Sequence, residues 1–196
     1  MAVYTKINKE NISYINKKFN IEKFISFKGI KQGIENTNYL LKTKKRKFIL
    51  TIFEKRVSNK ELPFFMKLME VLNNSKINCP RPIKNNEGNY FFKLRNKNAC
   101  IVTYLDGRDK KILNIKNCYD VGKIIARMHL ITKNIRIFRK NSMGIHSLDR
   151  LLKSIRFKKK EFHNLEKFLK INLKDIKKKW PKLLPKGIIH GDLFID

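Results

Sequence analysis

The chain has 196 residues, 42% of them hydrophobic. That is enough for one domain or two small ones with a packed core, and too apolar for a disordered protein. No apolar run is long enough to cross a bilayer and the first residues carry no signal-peptide core, so a cytoplasmic protein without a membrane partner is expected. The net charge is +30, but the lysines are spread over every segment. This favours compositional bias over a specific nucleic-acid partner, although a basic nucleic-acid-binding protein remains an alternative.

The first third of the chain predicts one helix and a meander of antiparallel strands. Apolar residues at helical spacing predict a helix over Lys9–Phe19. Short strands are predicted at Lys23–Lys28, Tyr39–Thr43 and Phe48–Phe53, separated by turns rich in glycine, asparagine and lysine.

A second helix and a buried strand follow. Pro63 suits a first helical turn, and an apolar stripe continues from there to Leu72. After a strand at Tyr90–Leu94, the near-continuous apolar run Ala99–Leu105 predicts a central strand that is buried on both faces.

Beyond Leu105 the pattern changes to helical. Apolar spacing predicts three helices, near residues 117–131, 148–155 and 165–180, and then a short buried strand at Ile188–His190. We interpret this order as an α+β, protein kinase-like two-lobed fold. Its N-terminal antiparallel-sheet lobe would span residues 1–105, and an incomplete helical C-terminal lobe would span residues 106–196.

The three cysteines are too few and too widely spaced for a zinc site. Cys79, Cys100 and Cys118 form no C-x-x-C pair, so we interpret them as reduced, packed thiols and assign no metal ligand among them.

Two stretches have the residue types of a phosphoryl-transfer site, which needs backbone amides over the phosphates, oxygen ligands for a metal ion and a carboxylate beside the attacking hydroxyl. The turn with Gly29, Gly33, Asn36 and Asn38 could supply the amides, because glycine permits a close backbone approach. An ordinary hairpin turn explains the same residues. Likewise, the strand that ends at Asp106 fits either an adenine-binding hinge or a plain core strand.

The most specific signal is His190-Gly191-Asp192. Asp192 is either a turn former or a catalytic carboxylate. Apolar neighbours on both sides favour the catalytic interpretation, because they would anchor the loop and leave His190 and Asp192 facing a cleft.

The segment Ile189–Phe194 resembles the catalytic loop of the aminoglycoside phosphotransferase/choline kinase-like superfamily and, within it, the bacterial homoserine kinases. Further segments that resemble these enzymes are Met1–Thr5, Lys28–Tyr39, Phe48–Val57, Leu62–Phe65, Cys79–Pro82 and Ile101–Gly107. The resemblance therefore extends over essentially the whole chain.

This resemblance implies ATP- and Mg²⁺-dependent phosphorylation of the side-chain hydroxyl of L-homoserine, a step of threonine synthesis, with Asp192 as the catalytic carboxylate. It also implies that a nucleotide lies against two sets of residues. Gly29, Gly33, Asn36 and Asn38 would lie over the phosphates, and Val102 and Tyr104 would lie beside the adenine. His190 is interpreted as a brace for the loop.

The chain departs from the family pattern in two places. The lysine usual on the third strand is replaced near Thr51, with Lys55 and Arg56 just beyond as possible substitutes. The metal-binding asparagine and a later aspartate of the family would follow Asp196. We therefore expect an incomplete kinase fragment. Alternatives are a kinase of another hydroxylated metabolite, such as choline or an aminoglycoside, and a non-catalytic remnant.

Overall fold

The computed structural model describes residues 3–33, 35–54, 60–107, 110–155 and 162–195. Within these residues the fold is α+β, with an antiparallel sheet in the first half of the chain and helices after it. The elements, in chain order, are α1 (Lys9–Lys18), β1 (Ser26–Gly29), β2 (Thr37–Lys42), β3 (Lys47–Ile52), α2 (Leu62–Asn74), β4 (Pro82–Ile83), β5 (Phe91–Leu94), β6 (Lys97–Thr103), α3 (Ile115–Thr132), α4 (Ile145–Ser154) and α5 (His163–Lys179).

The predicted meander and the predicted central strand are both confirmed. The strand order is β1-β2-β3-β6-β4, with every pairing antiparallel, and β5 also pairs with β6. Because β6 has neighbours on both sides, its apolar run is buried, as its composition indicates. The first strand begins three residues later than its predicted start at Lys23.

The sheet has two faces, each packed against a helix. The first face carries alternate residues of β2 and β3, among them Leu41 and Leu50. Helix α1 packs on this face through Ile12 and Ile15. On the second face, Met66 of α2 packs with residues of β6. Side chains alternate between the faces because successive residues of a strand point in opposite directions.

Reciprocal asparagine caps begin two of the helices. Asn11 N donates to Asn8 Oδ1 at 3.0 Å and Asn8 N donates to Asn11 Oδ1 at 3.1 Å. The same exchange joins Asn114 and Asn117 at the start of α3. Each pair satisfies backbone donors that the first helical turn leaves open, which fixes where the helix starts.

The chain divides into two compact units: Met1–Ile137 with Ile188–Asp196, and Phe138–Gly187. In the second unit, Asp149 of α4 accepts a hydrogen bond from Lys177 of α5 at 2.6 Å. The predicted lobe boundary near Leu105 stays a prediction. Within the described ranges, no helix combines the length and hydropathy that a bilayer span requires.

Two predictions from the sequence are wrong. Residues Ile188–His190 form no strand, and Ile189 is 68% exposed. Within the described part of the chain no strand pairs with this apolar run, and without a partner an apolar run does not become a sheet strand. Cys118 is exposed rather than packed, whereas Cys79 is half-buried and Cys100 is buried, all three with free thiols.

Candidate functional site

The turn between β1 and β2 is hydrogen-bonded at its base, and its tip is exposed. Ile30 N donates to the Asn38 carbonyl at 2.9 Å, continuing the β1–β2 pairing by one step. At the tip, Gly33 has φ +91, a left-handed conformation that side chains disfavour, and, its two chain neighbours aside, no described residue has an atom within 4 Å of where its Cβ would be. The backbone there therefore needs glycine for its conformation, and it leaves space for a ligand to approach.

Gly29 has a different reason to be glycine. A Cβ at this position would lie 2.9 Å from Val3 Cγ2, closer than real Cβ atoms come to another heavy atom. The close neighbour is thus the N-terminal segment of the chain, which the sequence does not indicate.

The second face of the sheet extends from the turn towards β6 in two rows of side chains. Asn38, Thr51 and Cys100 are aligned across β2, β3 and β6, and Leu40 and Ile49 begin the next row. Leu40 and Ile49 are half-buried where their neighbours on the first face are fully buried. The second face therefore offers an apolar row beside a polar row, and the sequence alone did not identify Leu40 and Ile49 as candidates.

Asn38 is oriented by its neighbour on β3. The Thr51 hydroxyl donates to Asn38 Oδ1 at 2.8 Å. Among the described residues none accepts from Asn38 Nδ2, so that amide group is available to donate to a ligand. Thr51, near which the sequence predicts that the third-strand lysine is replaced, thus orients the amide of Asn38.

Asn36 lies where the turn enters β2, and its side chain is bonded within the protein. Glu54 N donates to Asn36 Oδ1 at 3.3 Å, which ties the turn to the end of β3. Lys55 and Arg56, the possible substitutes for the missing lysine, lie outside the described residues.

Val102 and Tyr104 have different surroundings. Val102 is buried in the second core with Met66. Tyr104 lines a groove of about 810 Å³ that Val102 does not line. Lys47 Nζ lies 5.0 Å from the centre of the Tyr104 ring and 3.3 Å from Asp106 Oδ1. The Lys47 cation therefore connects the residue after β6 to the start of β3.

The terminal loop is exposed and is shaped by its glycine. Gly191 has φ +73, which a side chain would oppose. Asp192 N donates to His190 Nδ1 at 3.4 Å, and the role of His190 as a brace stays a prediction. Among the described residues, none donates a hydrogen bond to the Asp192 carboxylate, which leaves both oxygens accessible.

A divalent metal ion is not supported by the donors of the described residues. Nowhere in the ranges given above do three His, Cys, Asp or Glu side chains come together as a metal site requires. Mg²⁺ is usually held by one or two carboxylates with phosphate oxygens and water, and the terminal loop contributes Asp192 alone. The described residues thus present an open glycine turn and an accessible carboxylate, without a cluster of metal-ligating side chains.

A model of the phosphotransferase enzyme family matches residues 26–196. The chain belongs to this family. It is 36% identical to a homoserine kinase of Rhodopseudomonas palustris (strain BisA53) and 35% identical to a homoserine kinase of Bartonella henselae, in each case over 197 aligned residues that cover 100% of this chain. The alignments cover 60% and 62% of these relatives, so the chain spans about three fifths of their length.

Solved structures show that this chain shares the fold of known kinases and phosphotransferases. A spectinomycin phosphotransferase in complex with ADP and spectinomycin matches 97% of the chain and 64% of its own, with a TM-score of 0.61 and 13% identity. A choline kinase of Streptococcus pneumoniae matches 86% of this chain and 56% of its own, with a TM-score of 0.50 and 19% identity. The predicted kinase-like fold is confirmed.

Proposed function

We propose that this chain is the part of a homoserine kinase that binds ATP and that contains the carboxylate assisting phosphoryl transfer. The product would be O-phospho-L-homoserine. The observation that carries the proposal is the 35–38% identity to homoserine kinases over the full length of the chain. The open glycine turn, the free amide of Asn38 and the exposed carboxylate of Asp192 support it.

The nucleotide would bind along the second face of the sheet. The apolar row of Leu40 and Ile49 suits a purine ring, and the neighbouring polar row suits phosphates. The turn amides around Gly33 and the Nδ2 group of Asn38 would donate to the phosphate oxygens, since backbone and amide N–H groups are good partners for phosphate. ATP supplies the γ-phosphoryl group.

Asp192 would position the acceptor. Its carboxylate would accept a hydrogen bond from the homoserine hydroxyl and take up the proton as the hydroxyl oxygen bonds to the γ-phosphorus and the bond to ADP breaks. Because the transition state of phosphoryl transfer is loose, correct placement of the hydroxyl matters more than the basicity of the carboxylate.

A matched pair of glycine substitutions tests the nucleotide site. Gly33 and Gly88 both have positive φ and open space at the Cβ position, so Gly33→Ala and Gly88→Ala should destabilise the fold alike. ATP titration calorimetry should show that Gly33→Ala weakens binding by about tenfold or more while Gly88→Ala leaves it unchanged. Equal affinities for the two variants would contradict the proposed phosphate site.

The transfer step is tested with γ-labelled ATP and a panel of acceptors: homoserine, choline and an aminoglycoside. Label should appear on homoserine, and Asp192→Asn should lower the rate by about a hundredfold or more. The control is Asp175→Asn, an exposed aspartate that pairs with Lys179 in α5, which should leave the rate unchanged. Preferred labelling of choline or the aminoglycoside would contradict homoserine as the substrate.

A further inference from the structure

The N-terminal segment Val3–Ile7 crosses both strands that border the glycine turn. On β1, Val3 Cγ2 occupies the space that a Cβ of Gly29 would need. On β2, the Tyr39 hydroxyl donates to the Thr5 carbonyl at 3.0 Å and accepts from Ile7 N at 3.2 Å. One short stretch of chain is thus attached to the strand entering the turn and to the strand leaving it.

Thr37, the first residue of β2, attaches the same segment directly below the turn. Its hydroxyl accepts from Tyr4 N at 2.9 Å and from Thr5 N at 3.1 Å, and it donates to Glu54 Oε1 at 2.6 Å. A threonine hydroxyl has one donor and two acceptor positions, so every one of them is used. The side chain is fully buried, which makes these bonds costly to lose.

Glu54 extends the network to β3 and β6. Its Oε1 also accepts from the Thr5 hydroxyl at 2.7 Å, and its Oε2 pairs with Lys97 Nζ at the start of β6. Lys97 Nζ in turn donates to the Thr5 hydroxyl at 2.8 Å. Through its backbone N–H, Glu54 bonds the Asn36 side chain at the end of the turn itself. The network therefore connects the N-terminal segment, the turn and two neighbouring strands.

We propose that Val3–Ile7 is a strap that holds the glycine turn in its nucleotide-binding conformation, and that Thr37 and Glu54 are positioning residues for phosphate binding. The nucleotide part of this inference rests on the function proposed above. Neither residue would touch the nucleotide. They act through the backbone of the turn, which has open space at the Cβ position of Gly33 among the described residues.

The physical reason is preorganisation. A turn that is mobile before binding must be ordered when the ligand arrives, and the entropy of ordering is subtracted from the binding free energy. Fixing both ends of the turn to one buried hydrogen-bond network reduces that loss. Amide groups that bind phosphate also need accurate placement, because small misplacements weaken charge-assisted hydrogen bonds.

Thr43 provides a matched control at the other end of the same strand. Its hydroxyl also accepts from two backbone N–H groups, those of Lys45 at 3.2 Å and Arg46 at 2.9 Å. It is nearly as buried as Thr37, with 6% and 0% exposure respectively. Thr37→Val and Thr43→Val thus each remove two bonds from backbone N–H groups, and only Thr37→Val acts at the glycine turn. Thr37→Ser restores the hydroxyl.

The experiment measures hydrogen–deuterium exchange of the turn amides without ligand and ATP affinity by calorimetry, on the full 196-residue chain. For Thr37→Val we expect faster exchange at Ile30, whose N–H donates to the Asn38 carbonyl at the base of the turn, and about tenfold weaker ATP binding. For Thr43→Val we expect neither change, and for Thr37→Ser we expect values near the starting protein. Thermal unfolding reports the general loss of stability, which should be larger for Thr37→Val because this variant also loses the bond to the Glu54 carboxylate.

The readouts separate the two proposals. Unchanged turn exchange in Thr37→Val, or equal exchange in both valine variants, would overturn the strap whatever the nucleotide result. A second outcome is that exchange rises as expected while neither the starting protein nor any variant binds ATP. In that case the strap stands as a device that orders the turn, and both its role in nucleotide binding and the function proposed above are wrong. If exchange rises and ATP affinity does not fall, only the positioning role is wrong.

Discussion

The sheet and the later helices use similar residues and reach opposite degrees of burial. Among the described residues, every buried hydrophobic side chain lies at or before Val102. After that point α3, α4 and α5 carry large apolar side chains that remain exposed, for example Phe168 and Ile171. The sheet thus has a core on each of its faces, whereas the helices have amphipathic faces with little packed against them.

This difference teaches that apolar periodicity predicts an element but does not predict its burial. The apolar stripes of α4 and α5 are as regular as that of α2, and all three helices form. Of these helices, α2 packs on the sheet of its own unit through Met66. We therefore expect the sheet to carry most of the stability of the chain, and the predictions that follow test this contrast.

The largest expected contrast is in cysteine reactivity. Burial raises the pKa of Cys100, within the sheet, to about 12, so at pH 8 about one thiol in ten thousand is ionised there. Cys118 of α3 is exposed. With a disulfide reagent at pH 8, the native protein should react quickly at Cys118, and Cys100 should react only when urea unfolds the chain. Mass spectrometry of the labelled peptides checks this, and early labelling of Cys100 would show that the sheet opens readily.

A pair of leucine truncations compares the two regions directly. Leu50 in β3 is 0% exposed and Leu151 in α4 is 59% exposed. Leu50→Ala should lower the free energy of unfolding by about 2–5 kcal/mol, because it leaves a cavity in a packed core. Leu151→Ala should change it by less than about 0.5 kcal/mol. Urea unfolding followed by circular dichroism measures both, and a similar loss for the two variants would contradict the contrast.

Much of this architecture could be predicted from the sequence, because its elements depend on local patterns. The apolar run Ala99–Leu105 identified the central strand, and helical spacing located α1, α2 and α3 within a few residues. The strand at Ile188–His190 was wrong because strand formation depends on a pairing partner, which a local run does not specify.

The candidate site was only partly predictable, since its contacts join distant segments. The glycines and Asn38 stood out by residue type. The bond between Thr51 and Asn38 depends on the β2–β3 register, and the crowding of Gly29 depends on Val3, far away in the chain. Thr37 and Glu54 gave no local signal at all, because their importance comes from partners in four different segments.

Glu54 gives the sheet a pH-dependent contribution to stability. Burial pushes the pKa of this carboxyl up, but hydrogen bonds from Lys97, Thr37 and Thr5 outweigh burial and hold the pKa below its ordinary value of 4.5. Since the pKa is lower in the folded state, the stabilisation is present above pH 4.5 and is lost as the pH falls through the folded pKa. Glu54→Gln should therefore be less stable than the starting protein by about 1–3 kcal/mol at pH 7.

The measurement for Glu54 is urea unfolding of both proteins between pH 7 and pH 3. The difference between them should shrink below pH 4.5, as the native carboxyl becomes protonated and resembles the neutral amide. Glu166→Gln is the control, since Glu166 pairs with Lys170 within one exposed helix and should show little difference at any pH. A constant difference for Glu54→Gln would mean that its charge contributes nothing.

The smallest expected effect lies in the contact between the N-terminal segment and β1, and a double-mutant cycle isolates it. Gly29→Ala alone places a methyl group against Val3 Cγ2 and should destabilise the protein by about 1–3 kcal/mol, as overpacking does. Val3→Ala alone removes two methyl groups from a half-buried side chain and should cost about 1 kcal/mol or less. If Val3 is the obstacle, the double variant should be more stable than the sum of the two single losses predicts, by about 0.5 kcal/mol or more.

Chemical unfolding of the four proteins gives this coupling free energy. Additive losses would show that the segment moves aside without cost, in which case Val3 does not hold β1. A double variant more stable than the sum of the single losses would show that Val3 packs against β1. The N-terminal segment would then belong to the well-packed sheet region, as the hydrogen bonds of Thr37 also indicate. The well-packed part of the molecule would then begin at Val3 and enclose the glycine turn from both of its strands.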